Sequence, residues 1–111
     1  MFTLGNVYLP HDNHSVDSIN NYQCALGEMQ SVLDDLSNSK VLLIGDFNAD
    51  PYRGRFWRFL KETVDNNLLV FRDLCLGSGN FTFLSAAHNT TSWLDHVVSS
   101  VNLDVCEVKI L

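Results

Sequence analysis

An acid and an amide stand two positions apart at the end of a short apolar segment. Residues 43–48 are Leu-Ile-Gly-Asp-Phe-Asn, so Asp46 and Asn48 directly follow the hydrophobic run. Because side chains alternate along a strand, positions i and i+2 share a face, and we expect both groups at the C-terminal edge of a sheet. A carboxylate can activate a water molecule, and a carboxamide can hold a phosphate oxygen. The pair therefore indicates phosphate-ester chemistry.

Strands and helices must alternate to position this pair. The pattern predicts strands at residues 2–9 and 40–44, the second apolar throughout, which is typical of a strand covered on both faces. Between them a long amphipathic helix is expected, with Ser15 or Asp17 as its N-cap. Its apolar residues recur at steps of three and four: Ile19, Tyr22, Leu26, Met29, Leu33 and Leu36.

The second half of the chain predicts a shorter helix and several strands. The helix is expected at 55–64, and an apolar segment at 68–76 is interrupted by Arg72 and Asp73. Further strands are expected at 81–84, 93–99 and 105–111, with a polar loop at 86–91. The layout predicts an α/β fold with antiparallel pairing near the C-terminus.

Composition narrows the class of protein. The chain has 111 residues, 46% of them hydrophobic and 18% charged, which favours one globular domain over a disordered tail. The net charge of −6 argues against a simple nucleic-acid binder but suits a cation-assisted phosphodiesterase. The sequence begins with no signal-peptide pattern and has no apolar run of about 18 residues, so we expect an intracellular protein that is neither secreted nor bound to a membrane. A nuclear location is compatible with this, although no basic run provides a localisation signal.

Three widely spaced cysteines fit neither a disulfide framework nor a zinc site. They are Cys24, Cys75 and Cys106. We expect them to be reduced and mostly packed in the interior.

Four segments in order resemble the endonuclease/exonuclease/phosphatase superfamily. They are Asn-Val-Tyr-Leu-Pro (6–10), Leu-Ile-Gly-Asp-Phe-Asn (43–48), Thr-Phe (82–83) and Ser-Trp-Leu-Asp-His-Val-Val-Ser-Ser (92–100). The last segment and the compact loops are most similar to the endonuclease domain of non-LTR (LINE-type) retrotransposons. The resemblance implies part of a four-layered α/β sandwich, DNase I-like, and cleavage of phosphodiester bonds with Mg²⁺ or Mn²⁺.

The resemblance also implies roles for individual residues. Asp46 matches the aspartate that orients or deprotonates the attacking water, and it is the one candidate metal ligand. Asn48 matches the amide that hydrogen-bonds the scissile phosphate. Tyr8 matches a strand-end tyrosine that contacts phosphate. His11 stands where many relatives carry a phosphate-contacting asparagine, so this position departs from the pattern.

Asp95 matches a supporting aspartate. Asp95 and His96 could be taken for a catalytic dyad, but the segment at 92–97 matches the strand that precedes the Ser-Asp-His signature of the superfamily. Asp95 then resembles the aspartate that holds the catalytic histidine in its tautomer. His96, on the opposite strand face, is expected to be structural.

Two signatures of the intact domain are absent from the sequence. Only 16 residues follow Asp95, without Ser-Asp-His, and only seven precede Tyr8, where relatives carry a metal-binding glutamate. We therefore expect residues 1–111 to be a partial domain, without its N-terminal half and last C-terminal segment, that cleaves poorly alone.

Two alternatives remain. The first is a non-catalytic interaction module that uses the helix at 16–36 or an exposed sheet face to bind another chain, such as a missing half-domain. The second keeps the superfamily but changes the substrate, giving a phosphatase or an RNA deadenylase. The resemblance implies DNA as the partner of an intact relative, and no defined oligomer is predicted.

Overall fold

A parallel strand-helix-strand unit opens the chain. In the computed structural model, which describes residues 2–36, 39–77 and 79–110, β1 (Phe2–Tyr8) and β2 (Lys40–Asp46) pair in parallel and flank α1 (Val16–Asp35). Ser15 is the N-cap of α1, and its hydroxyl accepts the N–H of Ser18 at 3.1 Å. The predicted strand-helix-strand order is confirmed.

The rest of the chain completes a four-stranded sheet. Its elements are α2 (Trp57–Asn66), β3 (Leu69–Phe71), a 3₁₀ helix (Asp73–Leu76), β4 (Phe83–Ser85), β5 (Thr90–Ser92) and β6 (Asp95–Ser100). The sheet order is β1-β2-β6-β3, with β6 antiparallel to both neighbours, while β4 and β5 form a separate hairpin. The predicted α/β class with antiparallel pairing near the C-terminus is confirmed.

The final predicted strand is wrong. Residues 105–110 form no strand, and Leu111 lies outside the described residues. β6 already has a neighbour on each side, so no position beside it is free. The segment instead lies over the face of the sheet, where it lines a cavity of about 380 Å³ together with Phe2, Ile44 and Val97.

The hydrophobic core lies on one face of the sheet. Both helices bury their apolar residues there, and the sheet contributes Val41, Leu43 and Val98. The helix residues at the centre of this cluster are Tyr22, Leu26, Leu33, Leu60 and Val64. Since α1 uses its apolar face inside the fold, that face is not available to bind another chain.

The opposite face of the sheet is covered only in part, by the segment at 103–109. Phe2, Leu4 and Ile44 are 49%, 64% and 43% exposed. The expectation that residues 40–44 are covered on both faces is therefore wrong, because both helices pack on the same side. The smallest dimension of the molecule, 18 Å, fits one layer of helices on one sheet.

The cysteines are exposed rather than packed. Cys24, Cys75 and Cys106 are free thiols at the surface. Cys24 lies on the outer side of α1, two positions from both Tyr22 and Leu26, which point into the core. No helix within the described residues is long and apolar enough to cross a membrane.

Tyr22 connects α1 to the end of β2. Its hydroxyl donates to the backbone oxygen of Phe47 at 2.7 Å, and its ring stacks on Phe56 at a centroid distance of 4.0 Å. Burial, assisted by the charge of Asp46, raises the pKa of Tyr22. The phenol therefore stays neutral and donates at all ordinary pH values.

We expect Tyr22→Phe to lower the free energy of unfolding by about 1–2 kcal/mol, because the buried Phe47 carbonyl loses its donor. Urea unfolding followed by circular dichroism measures this. Tyr52→Phe is the matched control, since Tyr52 is 59% exposed. An equal effect of the two substitutions would show that the buried hydrogen bond contributes nothing.

Candidate functional site

Three strands bring three polar side chains into one row. Tyr8 of β1 pairs with Asp46 of β2, and Asp46 pairs with Asp95 of β6. Residues directly opposite each other on neighbouring strands lie about 4.5–5.5 Å apart at Cβ or Cα. Tyr8 is 79% exposed, Asp95 is exposed and Asp46 is partly buried, all on the face away from the helices. The row is therefore accessible to a ligand.

The carboxyl of Asp46 has a pKa above its ordinary value. Partial burial is the main cause of its raised pKa, and the negative charge of Asp95 adds to it. The backbone N–H of Asn48, which donates to Asp46 Oδ1 at 2.9 Å, opposes this shift, as do charges on His96 and His11. A carboxylate with a raised pKa is a better proton acceptor than an exposed one.

Asn48 reaches the site by a turn, not by strand alternation. β2 ends at Asp46, and Asn48 has φ +49°, in the left-handed region that asparagine tolerates. Its side-chain Nδ2 donates to the carbonyl oxygen of Leu9 at 2.6 Å. The expectation that the strand period places Asp46 and Asn48 on one face is therefore wrong, since an Asx-type turn arranges them.

Gly45 allows β1 to approach the end of β2. Its φ is +151°, and a Cβ atom built there would lie 2.1 Å from the backbone oxygen of Val7. Only glycine fits this contact, which keeps Tyr8 beside Asp46. The glycine of the Gly-Asp-Phe-Asn segment is therefore a packing requirement of the site.

Thr82 fixes the start of β6, a role that the sequence did not indicate. Its Oγ1 accepts the backbone N–H groups of Leu94 and Asp95 at 2.8 and 3.0 Å. The Phe47 N–H donates to the Leu94 carbonyl at 2.9 Å, which extends the link to the end of β2. Thr82 belongs to the Thr-Phe segment (82–83) that resembles the superfamily. That resemblance was the only sign in the sequence that this residue matters.

His11 lies in a loop that an ion pair anchors. Arg55 binds both carboxylate oxygens of Asp12 at 2.8 Å, and this hydrogen bonding lowers the pKa of Asp12. His11 itself is exposed. The structure brings its charge near enough to Asp46 to influence that carboxyl, and shows no hydrogen bond between them.

Asp46 is the residue that could contribute to a divalent metal site. Within residues 2–36, 39–77 and 79–110, no group of three or more histidine, cysteine, aspartate or glutamate side chains could hold a metal ion. Mg²⁺ is often bound by one or two carboxylates, with waters and substrate phosphates completing the shell. Asp46 could therefore contribute one carboxylate to such a shell, and the described residues do not complete it.

Comparison with known proteins identifies the family. A family model described as "Endonuclease/Exonuclease/phosphatase family" matches residues 10–111, more than nine tenths of the chain. The chain belongs to this family. Members of this family generally use divalent metal ions. The match begins at residue 10, so Tyr8 lies outside it.

A solved structure shows the same fold. The human Nocturnin catalytic domain with bound sulfate anion superposes with a TM-score of 0.50 at 17% sequence identity. The alignment covers 90% of this chain and 36% of the Nocturnin chain. A search of curated protein sequences found no similar protein. The superfamily and the DNase I-like fold predicted from the sequence are confirmed.

We expect Asp46→Asn to stabilise the protein at pH 7. A folded-state pKa above the ordinary value of 3.8 means that ionisation costs stability, and this cost appears as the pH rises above that value. The gain should be below about 1 kcal/mol, because water screens a partly exposed group. At pH 3 the carboxyl is protonated in both states, so the difference should vanish.

Urea unfolding at pH 7 and pH 3 measures this dependence. Glu62→Gln, at an exposed position of α2, is the matched control and should have little effect at pH 7. A variant less stable than the parent at pH 7 would contradict the raised pKa.

Proposed function

We propose that this chain forms the water-activating and phosphate-contacting part of a metal-dependent phosphodiesterase that nicks DNA in the manner of a retrotransposon-type endonuclease. The observation that carries the proposal is the exposed row of Tyr8, Asp46 and Asp95 in a chain of the endonuclease/exonuclease/phosphatase family. The row is accessible, and it combines an acidic group of raised pKa with nearby hydrogen-bond donors. These properties suit the binding of a phosphate ester.

Each residue supplies a distinct interaction. Asp46 accepts a proton from the attacking water and orients it, which its raised pKa favours. Asn48 uses one side-chain N–H on Leu9, and its second N–H can donate to a phosphate oxygen. Tyr8 offers its exposed hydroxyl as a second donor. A divalent ion, when bound through Asp46, would neutralise charge on the phosphate.

The charge of the chain makes a cation essential for this chemistry. With a net charge of −6 and two adjacent carboxylates at the site, a nucleic-acid phosphate would be repelled without a counterion. The choice of DNA rests on the similarity of residues 92–100 to LINE-type endonucleases. A phosphatase or a deadenylase of the same family is the alternative.

Exposed apolar residues on the sheet face away from the helices support binding of a partner such as a second half-domain. Phe2, Leu4 and Ile44 leave apolar surface exposed on the same face as the site. The chain spans 36% of the Nocturnin chain that it matches. A second sheet packed on this face would also bring further groups to Asp46.

NMR titration tests where phosphodiesters bind. We expect a DNA dinucleotide with Mg²⁺ to shift the amide resonances of Tyr8, Asp46, Asn48 and Asp95, with smaller shifts for an RNA dinucleotide and for glycerol phosphate. The resonances of α2 around Glu62 serve as the internal control. Shifts confined to other surfaces would contradict the site, and equal shifts for the three ligands would contradict the preference for DNA.

Plasmid nicking tests catalysis by the chain itself. We expect the purified 111-residue chain to convert supercoiled plasmid to open circles at background rate, because the described residues provide no cluster of three metal ligands. Gel electrophoresis with Mg²⁺, with Mn²⁺ and with EDTA measures this. Mg²⁺-dependent nicking that disappears in Asp46→Ala would contradict the expectation that the chain needs further groups.

A further inference from the structure

His96 is a buried histidine that the proposed chemistry does not use. The residue is 2% exposed, and both ring nitrogens have polar partners. Nδ1 lies 2.7 Å from Asp73 Oδ2, and Nε2 lies 2.6 Å from the backbone oxygen of Ala49. Aromatic rings surround it at centroid distances of 5.4 to 6.2 Å, from Trp57, Phe71, Phe47 and Trp93.

The partners of the ring determine where its protons lie. A carbonyl oxygen only accepts, so Nε2 must carry a hydrogen to contact Ala49. The contact of Nδ1 with Asp73 also requires one proton between the two atoms. The other oxygen of Asp73 accepts the Val97 N–H at 3.1 Å. Whichever of the two atoms carries the shared proton, Nε2 remains the donor to the Ala49 carbonyl, and the contact with Asp73 orients the ring.

The ring joins the two segments that carry the candidate site. Ala49 directly follows Asn48, and His96 directly follows Asp95. A second link runs parallel to it, because the carboxylate of Asp50 accepts the Trp93 N–H at 2.9 Å. In the His96 link the donor is the buried imidazole ring. In the Asp50 link the donor is a backbone N–H.

We infer that His96 is a positioning residue: paired with Asp73, its ring holds the Ala49 carbonyl and thereby fixes Asn48 and Asp46 relative to Asp95. The consequence for phosphate contact rests on the proposed function. The hydrogen-bond arrangement itself can be tested without any ligand or activity.

Two substitutions each alter one of the two bonds of His96. In His96→Asn the shorter amide can still donate to Asp73 from the place of Nδ1, but it has no atom at Nε2, so the Ala49 bond is lost. In Asp73→Asn the amide oxygen can accept the Val97 N–H while its N–H donates to a neutral His96, so the Ala49 bond is kept. A purely space-filling role for His96 would not separate these variants in this way.

The first experiment observes the ring nitrogens by ¹⁵N NMR at neutral pH. We expect Nε2 of His96 to carry hydrogen in the parent protein and in Asp73→Asn. The exposed His88 serves as the internal reference for a solvated ring. A His96 ring without hydrogen on Nε2 in the parent protein would overturn the inference.

The second experiment follows the segment after β2. We expect the amide resonances of Asn48 and Ala49 to move in His96→Asn and to stay close to the parent positions in Asp73→Asn and in the control His88→Asn. Affinity for the DNA dinucleotide with Mg²⁺ should fall about tenfold in His96→Asn, the equivalent of one buried hydrogen bond. Unchanged Asn48 and Ala49 resonances in His96→Asn would overturn the inference.

The proposed function and the positioning role of His96 can be refuted separately. If the parent protein shows no response to the dinucleotide, the proposed function is refuted, while the amide resonances of Asn48 and Ala49 still decide the positioning role. If His96→Asn does not fold, the ring-nitrogen signals of the parent protein and of Asp73→Asn decide it instead.

Discussion

The structure depends on the antiparallel pairing of β2 with β6 at the centre of the sheet. This pairing places Asp46 opposite Asp95. Two hydrogen bonds continue it beyond the strand ends: the Phe47 N–H donates to the Leu94 carbonyl, and the Trp93 N–H donates to the Asp50 carboxylate. The two strands are separated by about fifty residues, which include α2 and the β4-β5 hairpin, so the pairing is a long-range contact. The candidate site is the end of this ladder.

The hydrophobic core and the candidate site meet at the turn that follows β2. Tyr22 closes the core by donating to the backbone oxygen of Phe47, which lies between Asp46 and Asn48. Its hydroxyl holds the turn, while the partly buried Asp46 keeps a pKa above its ordinary value. Such a carboxyl costs stability at neutral pH, because its ionised form is disfavoured in the folded state.

Residues that interrupt a pattern in the sequence became structural connections in the fold. Arg72 and Asp73 break the apolar segment at 68–76, and both contact β6. Arg72 donates to Ser99 Oγ at 2.7 Å and to the Leu103 carbonyl at 2.8 Å, while Asp73 binds His96 and the Val97 N–H. Their partners lie more than twenty residues away, so no local period could reveal them.

The sequence by itself determined the strand-helix-strand order of the first half, the apolar face of α1 and the class of fold. These follow from local periodicity and from short segments whose order is characteristic. Only the tertiary structure decided that Asn48 turns back to Leu9, that residues 105–110 lie over the sheet, and that His96 pairs with Asp73. Each of these three features depends on which backbone groups remain unpaired after the sheet has formed. Strand order determines which groups those are, and local propensity does not.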